Sequence, residues 1–70
     1  MTHEDARSLV GRYIRVYRMV GYVLRYNRHR SVLTILHART GKEDIITADD
    51  LEYVLQTKHA EVLKGIGRWV

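Results

Sequence analysis

A basic stretch with interleaved tyrosines holds the residue types that could do chemistry in this chain. Between Ala6 and Lys42 the sequence has nine arginine or lysine residues and no acid. Cationic groups attract phosphate and aromatic rings stack on bases, so this pattern is typical of a nucleic-acid contact. Arginine on the solvent side of β-strands produces the same pattern without a ligand, and that alternative stays open. The candidate RNA contacts are Arg25, Arg28, His29 and Arg30.

No group of residues has the spacing that catalysis or metal binding needs. Asp49 and Asp50 are adjacent, and adjacent side chains in a turn point apart, which suits a turn better than general acid–base chemistry. His37 has no nucleophile beside it, and Gly41-Lys42 lacks the rest of a phosphate loop. The chain has no cysteine, and its four histidines are not spaced like ligands. We therefore expect no catalytic residue, no metal and no cofactor.

The length of the chain limits the stability of the isolated domain. Seventy residues suffice for one domain, and a domain of this size buries only about 60% of the surface that its unfolded chain exposes. Since neither a disulfide nor a metal is expected, a partner subunit is the expected source of additional stability. No apolar run approaches the roughly 20 residues of a membrane-spanning helix, and the polar start is not a signal peptide. We expect no membrane association.

The elements that position these residues follow from the hydrophobic period. Ala6, Leu9 and Val10 at helical spacing behind Thr2 predict a short N-terminal helix within residues 1–11. The period then changes to two, which predicts five short strands joined by tight turns over residues 12–55. The predicted strands are 13–18, 20–26 (with Gly21 at a bend), 32–36, 44–47 and 51–55, and a turn is predicted over 48–50.

A helical period returns near the end of the chain. Val62, Leu63, Ile66 and Val70 lie about one turn apart, which predicts a helical segment over 57–70. The helix itself is expected from about Lys58 to Gly65, and its apolar side would cover the strands or dock on a partner. The predicted fold class is mainly β, a single domain built as a small five-stranded SH3-like barrel with an N-terminal and a C-terminal helix.

Two stretches resemble the motifs of the Sm and Sm-like proteins. Residues 21–27 run from a glycine through hydrophobic positions to an aromatic residue and Asn27, and residues 46–54 resemble the second motif. The resemblance covers roughly residues 4–55 and implies the five-stranded Sm-like barrel. In RNA-binding family members a loop residue, an Asn and an Arg contact the base. Because the matching positions here are His29, Ser31 and Thr47, the resemblance implies weak RNA binding without uridine selectivity.

Within this family the chain is most similar to the Gemin-type subunits of the SMN complex, the sixth Gemin in particular, with the twelfth Lsm-type protein as a competing resemblance. The resemblance to the Gemin-type subunits implies a non-catalytic subunit in spliceosomal snRNP assembly, located in cytoplasm and nucleus. It also implies a heterodimer with another Sm-like protein of the seventh-Gemin kind, and contacts with further SMN-complex subunits. Open strand edges would accept the partner by β-augmentation. The expected edge residues are Ile45, Ile46, Leu51, Tyr53 and Leu55; direct RNA binding through Arg25–Arg30 is the alternative.

Overall fold

Seven elements follow one another in the computed structural model, which describes residues 1–63. They are α1 (His3–Ser8), β1 (Tyr13–Val16), β2 (Met19–Asn27), β3 (Val32–His37), β4 (Glu43–Thr47), α2 (Ala48–Gln56) and β5 (Ala60–Val62). The five strands form one antiparallel sheet in the order β4-β3-β2-β1-β5. The prediction of a mainly β domain with five antiparallel strands is confirmed, and β4 and β5 form the two edges of the sheet.

The N-terminal helix forms where its capping signal predicts it. The Thr2 side chain accepts a hydrogen bond from the Asp5 backbone N–H at 3.0 Å, and the Asp5 carboxylate accepts one from the Thr2 backbone N–H at 3.4 Å. These reciprocal bonds satisfy two donors that a helix leaves free at its start. Ala6 and Leu9 point inward and are buried in the core.

The core lies on one face of the sheet, beneath the two helices. The largest fully buried side chains of the strands are Ile14, Val23, Leu33 and Ile35, which all lie on the same face because side chains alternate along a strand. Helix α1 adds Ala6 to this cluster, and α2 adds Ala48, Leu51 and Val54.

Gly21 is required by close packing between neighbouring strands. It pairs with Ile14 on β1 and with His37 on β3. A methyl group at Gly21 would overlap the Ile35 side chain and would lie 2.9 Å from the backbone oxygen of Leu36. The predicted bend glycine is therefore the residue that lets three strands come together. The pairing register of β2 shifts a little further on, between Val23 and Arg25.

The prediction of a strand over Leu51–Leu55 is wrong, because this segment belongs to helix α2. The predicted turn over 48–50 is the first turn of the same helix. Thr47 caps it by accepting a hydrogen bond from the Asp50 backbone N–H at 3.1 Å, and two acids in the first turn suit the positive end of a helix. Leu51 and Val54, three residues apart, are buried, as expected for the inner side of a helix.

The prediction of a helix beginning near Lys58 is also wrong within the described residues. Ala60–Val62 forms β5, which pairs antiparallel with β1, and Lys58 has a φ of 65° that interrupts any helix. Ala60 is buried and Val62 packs against the core, so apolar residues alternate along β5 as in a strand. The remainder of the predicted helix, over 64–70, lies outside the described residues.

Candidate functional site

Strand β4 is the most exposed strand of the sheet. Four of its five residues are exposed, and Ile46 alone is half-buried. Ile45 is 65% exposed, although it pairs with Thr34 in the middle of β3. β3 is bonded to β2 on its other side, whereas β4 has no strand on its outer side among residues 1–63. β4 is thus an edge strand with a large apolar side chain on its surface.

The hydrogen bonds between β3 and β4 determine which backbone groups of β4 point outward. His37 donates its N–H to the Lys42 carbonyl at 2.8 Å, and Ala48 donates to the Ser31 carbonyl at 2.8 Å. Because bonded and non-bonded pairs alternate in an antiparallel ladder, these two bonds show which residues between Lys42 and Ala48 bond to β3 and which do not. Asp44 and Ile46 bond to β3. The residues whose N–H groups point away from the sheet are Glu43, Ile45 and Thr47.

Local contacts occupy part of this edge. The Ile45 backbone N–H donates to its neighbour, the Asp44 carboxylate, at 3.1 Å. The other oxygen of Asp44 lies 3.4 Å from the His37 ring nitrogen Nε2, and Glu43 forms an ion pair with Arg25 at 3.0 Å. All of these contacts are solvent-exposed, and exposed ion pairs contribute about 0–1 kcal/mol. A partner strand could therefore replace them at small cost.

The residues predicted to form partner-binding edges are separated in the structure. Ile45 lies exposed on β4, and Ile46 packs partly against the core. Leu51 is fully buried, Leu55 packs against the core and Tyr53 is 63% exposed. The last three lie on α2, whose backbone groups bond within the helix, so their assignment to a strand edge is wrong. Ile45 is the predicted residue that the structure exposes on an edge.

The loop between β2 and β3 is held in one shape by Asn27. Its side-chain oxygen accepts hydrogen bonds from the backbone N–H groups of His29 at 3.0 Å and Arg30 at 3.2 Å. Ser31 completes the turn with a φ of 53°. The predicted contacts Arg28, His29 and Arg30 are all exposed on this loop.

Helix α1 lies beside the end of β2 and forms a cleft with it. The His3 ring nitrogen Nδ1 is hydrogen-bonded to the Tyr26 hydroxyl, and the centres of the two rings are 5.8 Å apart. The cleft between them, called the basic cleft below, has a volume of about 550 Å³. It is lined by His3, Glu4 and Arg7 from α1, by Val10 just after it, and by Arg25, Tyr26 and Arg28 from β2 and its loop.

The sequence pattern indicated only part of this cleft. Arg25 and Arg28 were predicted as ligand contacts because they lie close together in the sequence, whereas Arg7 and His3 were not. Arg7 and Arg28 form no ion pair with any other residue in 1–63. The contact of His3 with Tyr26 spans 23 positions along the chain, so no local sequence signal could reveal it.

Residues 1–63 contain no group of three or more His, Cys, Asp or Glu side chains placed to hold a metal ion. In the same residues no helix is both long and apolar enough to cross a membrane. Asp49 and Asp50, the adjacent acids of the sequence, lie exposed in the first turn of α2.

Comparison with models of protein families, with curated proteins and with solved structures finds no match for the chain. The β4 edge and the basic cleft are therefore the features from which its function is inferred.

Proposed function

We propose that the chain is a non-catalytic subunit that binds a protein partner through the outer edge of β4. The observation that carries this proposal is Ile45, a large apolar residue that is 65% exposed in an edge strand. Its backbone N–H and C=O point away from the sheet. An edge of this kind accepts an added strand, whose main chain supplies the hydrogen bonds and whose side chains supply selectivity.

The charges around β4 favour a partner other than a second copy of the same strand. Glu43 and Asp44 begin β4, and Asp49 and Asp50 follow it in the first turn of α2. Pairing two copies of β4 would bring acidic segments together, and like charges across a strand pair are destabilising. A strand with an apolar centre and flanking lysine or arginine fits this edge better, so the proposed assembly is a heterodimer.

The resemblance of the sequence to Sm-like proteins adds a specific partner to this proposal. An Sm-like chain of the seventh-Gemin kind would supply the added strand, and snRNP assembly in an SMN-type complex would be the setting. This finer proposal rests on residues 21–27, because the strand that the resemblance implies within 46–54 is replaced by helix α2. It differs from the general one in its partner, so identification of the bound protein distinguishes the two.

Proline substitution at the two sheet edges tests the proposal. Ile45→Pro removes an outward N–H while the neighbouring bonds to β3 remain. Val62→Pro is the matched variant on β5, the opposite edge. Ile45→Ala retains the N–H and removes the apolar side chain. Each affinity-tagged chain would be purified from its native cells, and bound proteins would be identified by mass spectrometry and complex masses measured by light scattering.

We expect a defined partner with the unmodified chain, its loss with Ile45→Pro and its retention with Val62→Pro. Ile45→Ala should weaken the complex by about 1–3 kcal/mol, the value of a buried aliphatic side chain. Retention of the partner by Ile45→Pro would contradict the proposal. So would a chain that is a stable monomer and co-purifies with no protein.

A second candidate function is weak RNA binding, favoured by the exposed Arg28, His29 and Arg30 on a loop that Asn27 holds in place. Stacking and phosphate contacts of this kind tolerate any sequence. Titration of the chain with a uridine tract and with a mixed sequence should give affinities within about twofold of each other. Ser31 and Thr47 stand where RNA-binding Sm-like proteins have the Asn and the Arg that contact the base, and they carry neither an amide nor a guanidinium. Strong preference for the uridine tract would contradict unselective binding.

A further inference from the structure

The basic cleft has the size of a small-ligand site. Its volume of about 550 Å³ falls within the roughly 300–1,000 Å³ that is usual for such sites. Tyr26 packs partly against the core, and its hydroxyl is bonded to His3. This bond joins the helix side of the cleft to the strand side.

The charges in the cleft leave two guanidinium groups without a carboxylate. Arg25 is already paired with Glu43 at 3.0 Å. Arg7 and Arg28, from opposite walls, form no ion pair within residues 1–63. Glu4 also lines the cleft and opposes an anion on the helix side. Among residues 1–63, the two unpaired arginines of the cleft outnumber its one unpaired carboxylate, so the cleft is net cationic and suits an anionic ligand group.

A phosphate monoester is such a group, with a charge of about −1.5 to −2 at neutral pH. Guanidinium groups bind phosphate oxygens with paired, charge-assisted hydrogen bonds. A phosphodiester carries a single negative charge, so the two arginines would attract it less strongly than a monoester. The exposed His3 ring beside Tyr26 offers an aromatic surface of the kind on which nucleic-acid bases stack.

We propose that the basic cleft binds a phosphate monoester of nucleotide size, with the phosphate between Arg7 and Arg28 and the base against His3 and Tyr26. This site lies apart from the backbone edge of β4, and it differs from unselective RNA binding because it requires a terminal phosphate. The ligand is a free nucleotide or the phosphorylated end of an oligonucleotide, which share the same recognised group.

Binding by the full chain would be measured by NMR titration of the labelled backbone amides. The probes are uridine monophosphate, uridine, inorganic phosphate and a dinucleotide with a phosphodiester but no terminal phosphate; a dinucleotide with a 5′-phosphate separates the two sources. The variants are Arg7→Gln and Arg28→Gln. Arg39→Gln is the matched control, because Arg39 is an exposed arginine without an ion pair in the described part of the chain, beyond the far end of β3.

We expect the monophosphate to shift amides around Arg7 and Arg28, and to bind more tightly than uridine, phosphate or the unphosphorylated dinucleotide. Arg7→Gln and Arg28→Gln should each lower affinity by about three- to tenfold, because solvent weakens an exposed charge-assisted hydrogen bond. Arg39→Gln should lower it by less than about twofold. Equal binding of the diester and the monoester would overturn the proposal, as would equal losses in all three variants. Retained dispersion of the variant spectra controls for folding.

Discussion

Strands β3 and β4 are neighbours that place large aliphatic side chains in opposite environments. Leu33 and Ile35 on β3 are 0% and 1% exposed, whereas Ile45 on β4 is 65% exposed. β3 has a strand on each side and helices above it, while β4 is bonded on one side only. Ile45 pairs with Thr34, which alternates with the core residues Leu33 and Ile35, so its side chain lies on the face of the sheet away from the core. The sheet face on which an isoleucine lies, more than its hydrophobicity, therefore decides whether it stabilises the fold or remains exposed.

The largest expected effect of a substitution is in β3. Leu33→Ala should lower the free energy of unfolding by about 2–5 kcal/mol, because it removes buried methyl groups and leaves a cavity. Ile45→Ala, one strand away, should change it by less than about 0.5 kcal/mol. Urea unfolding followed by circular dichroism measures both values. Similar losses in the two variants would show that β4 is packed as tightly as β3.

Gly21→Ala tests the close approach of strands β1, β2 and β3. The added methyl group has no space beside Ile35 and the Leu36 backbone, so we expect a loss of about 1–3 kcal/mol, the usual cost of overpacking. Gly41→Ala gives a contrasting case, since a methyl group added there would meet nothing within 4 Å and the φ of 75° alone opposes the change. Thermal unfolding of Gly21→Ala without a loss of stability would contradict the described packing.

A smaller effect is expected at the end of β4. Thr47→Ala removes the side chain that accepts the Asp50 N–H and should cost about 1 kcal/mol. Thr47→Ser retains the oxygen and should lose much less. Urea unfolding distinguishes them, and equal stability of Thr47→Ala and the unmodified chain would show that the cap does not stabilise α2.

Local patterns predicted the first four strands, from alternating side chains in β1 and from the β-branched residues of β3. The same alternation misled at Leu51, Tyr53 and Leu55, where apolar spacing fits a strand and also fits a helix through Val54. Thr47 followed by Asp50 was the signal that favours the helix. β5 has three residues, too few for a periodic signal, and it is stabilised by pairing with distant β1.

The sequence likewise predicts the candidate surfaces only where their residues are neighbours along the chain. Arg25–Arg30 form a cluster along the chain, so the sequence predicted their proximity. Arg7 reaches this cluster because α1 folds against β2, and Ile45 is exposed because its side chain lies on the face of the sheet that the core does not cover. Both facts depend on tertiary packing, which a single sequence does not reveal at these positions.

Amide hydrogen exchange of the labelled chain, alone and bound to its co-purified partner, tests the β4 edge most directly. In the free chain the outward amides of Ile45 and Thr47 should exchange quickly, and that of Ile46, bonded to β3, slowly. In the complex the Ile45 and Thr47 amides should slow by at least about tenfold, because the added strand accepts their hydrogen bonds. A partner that binds while both amides continue to exchange at the free rate would contradict the account.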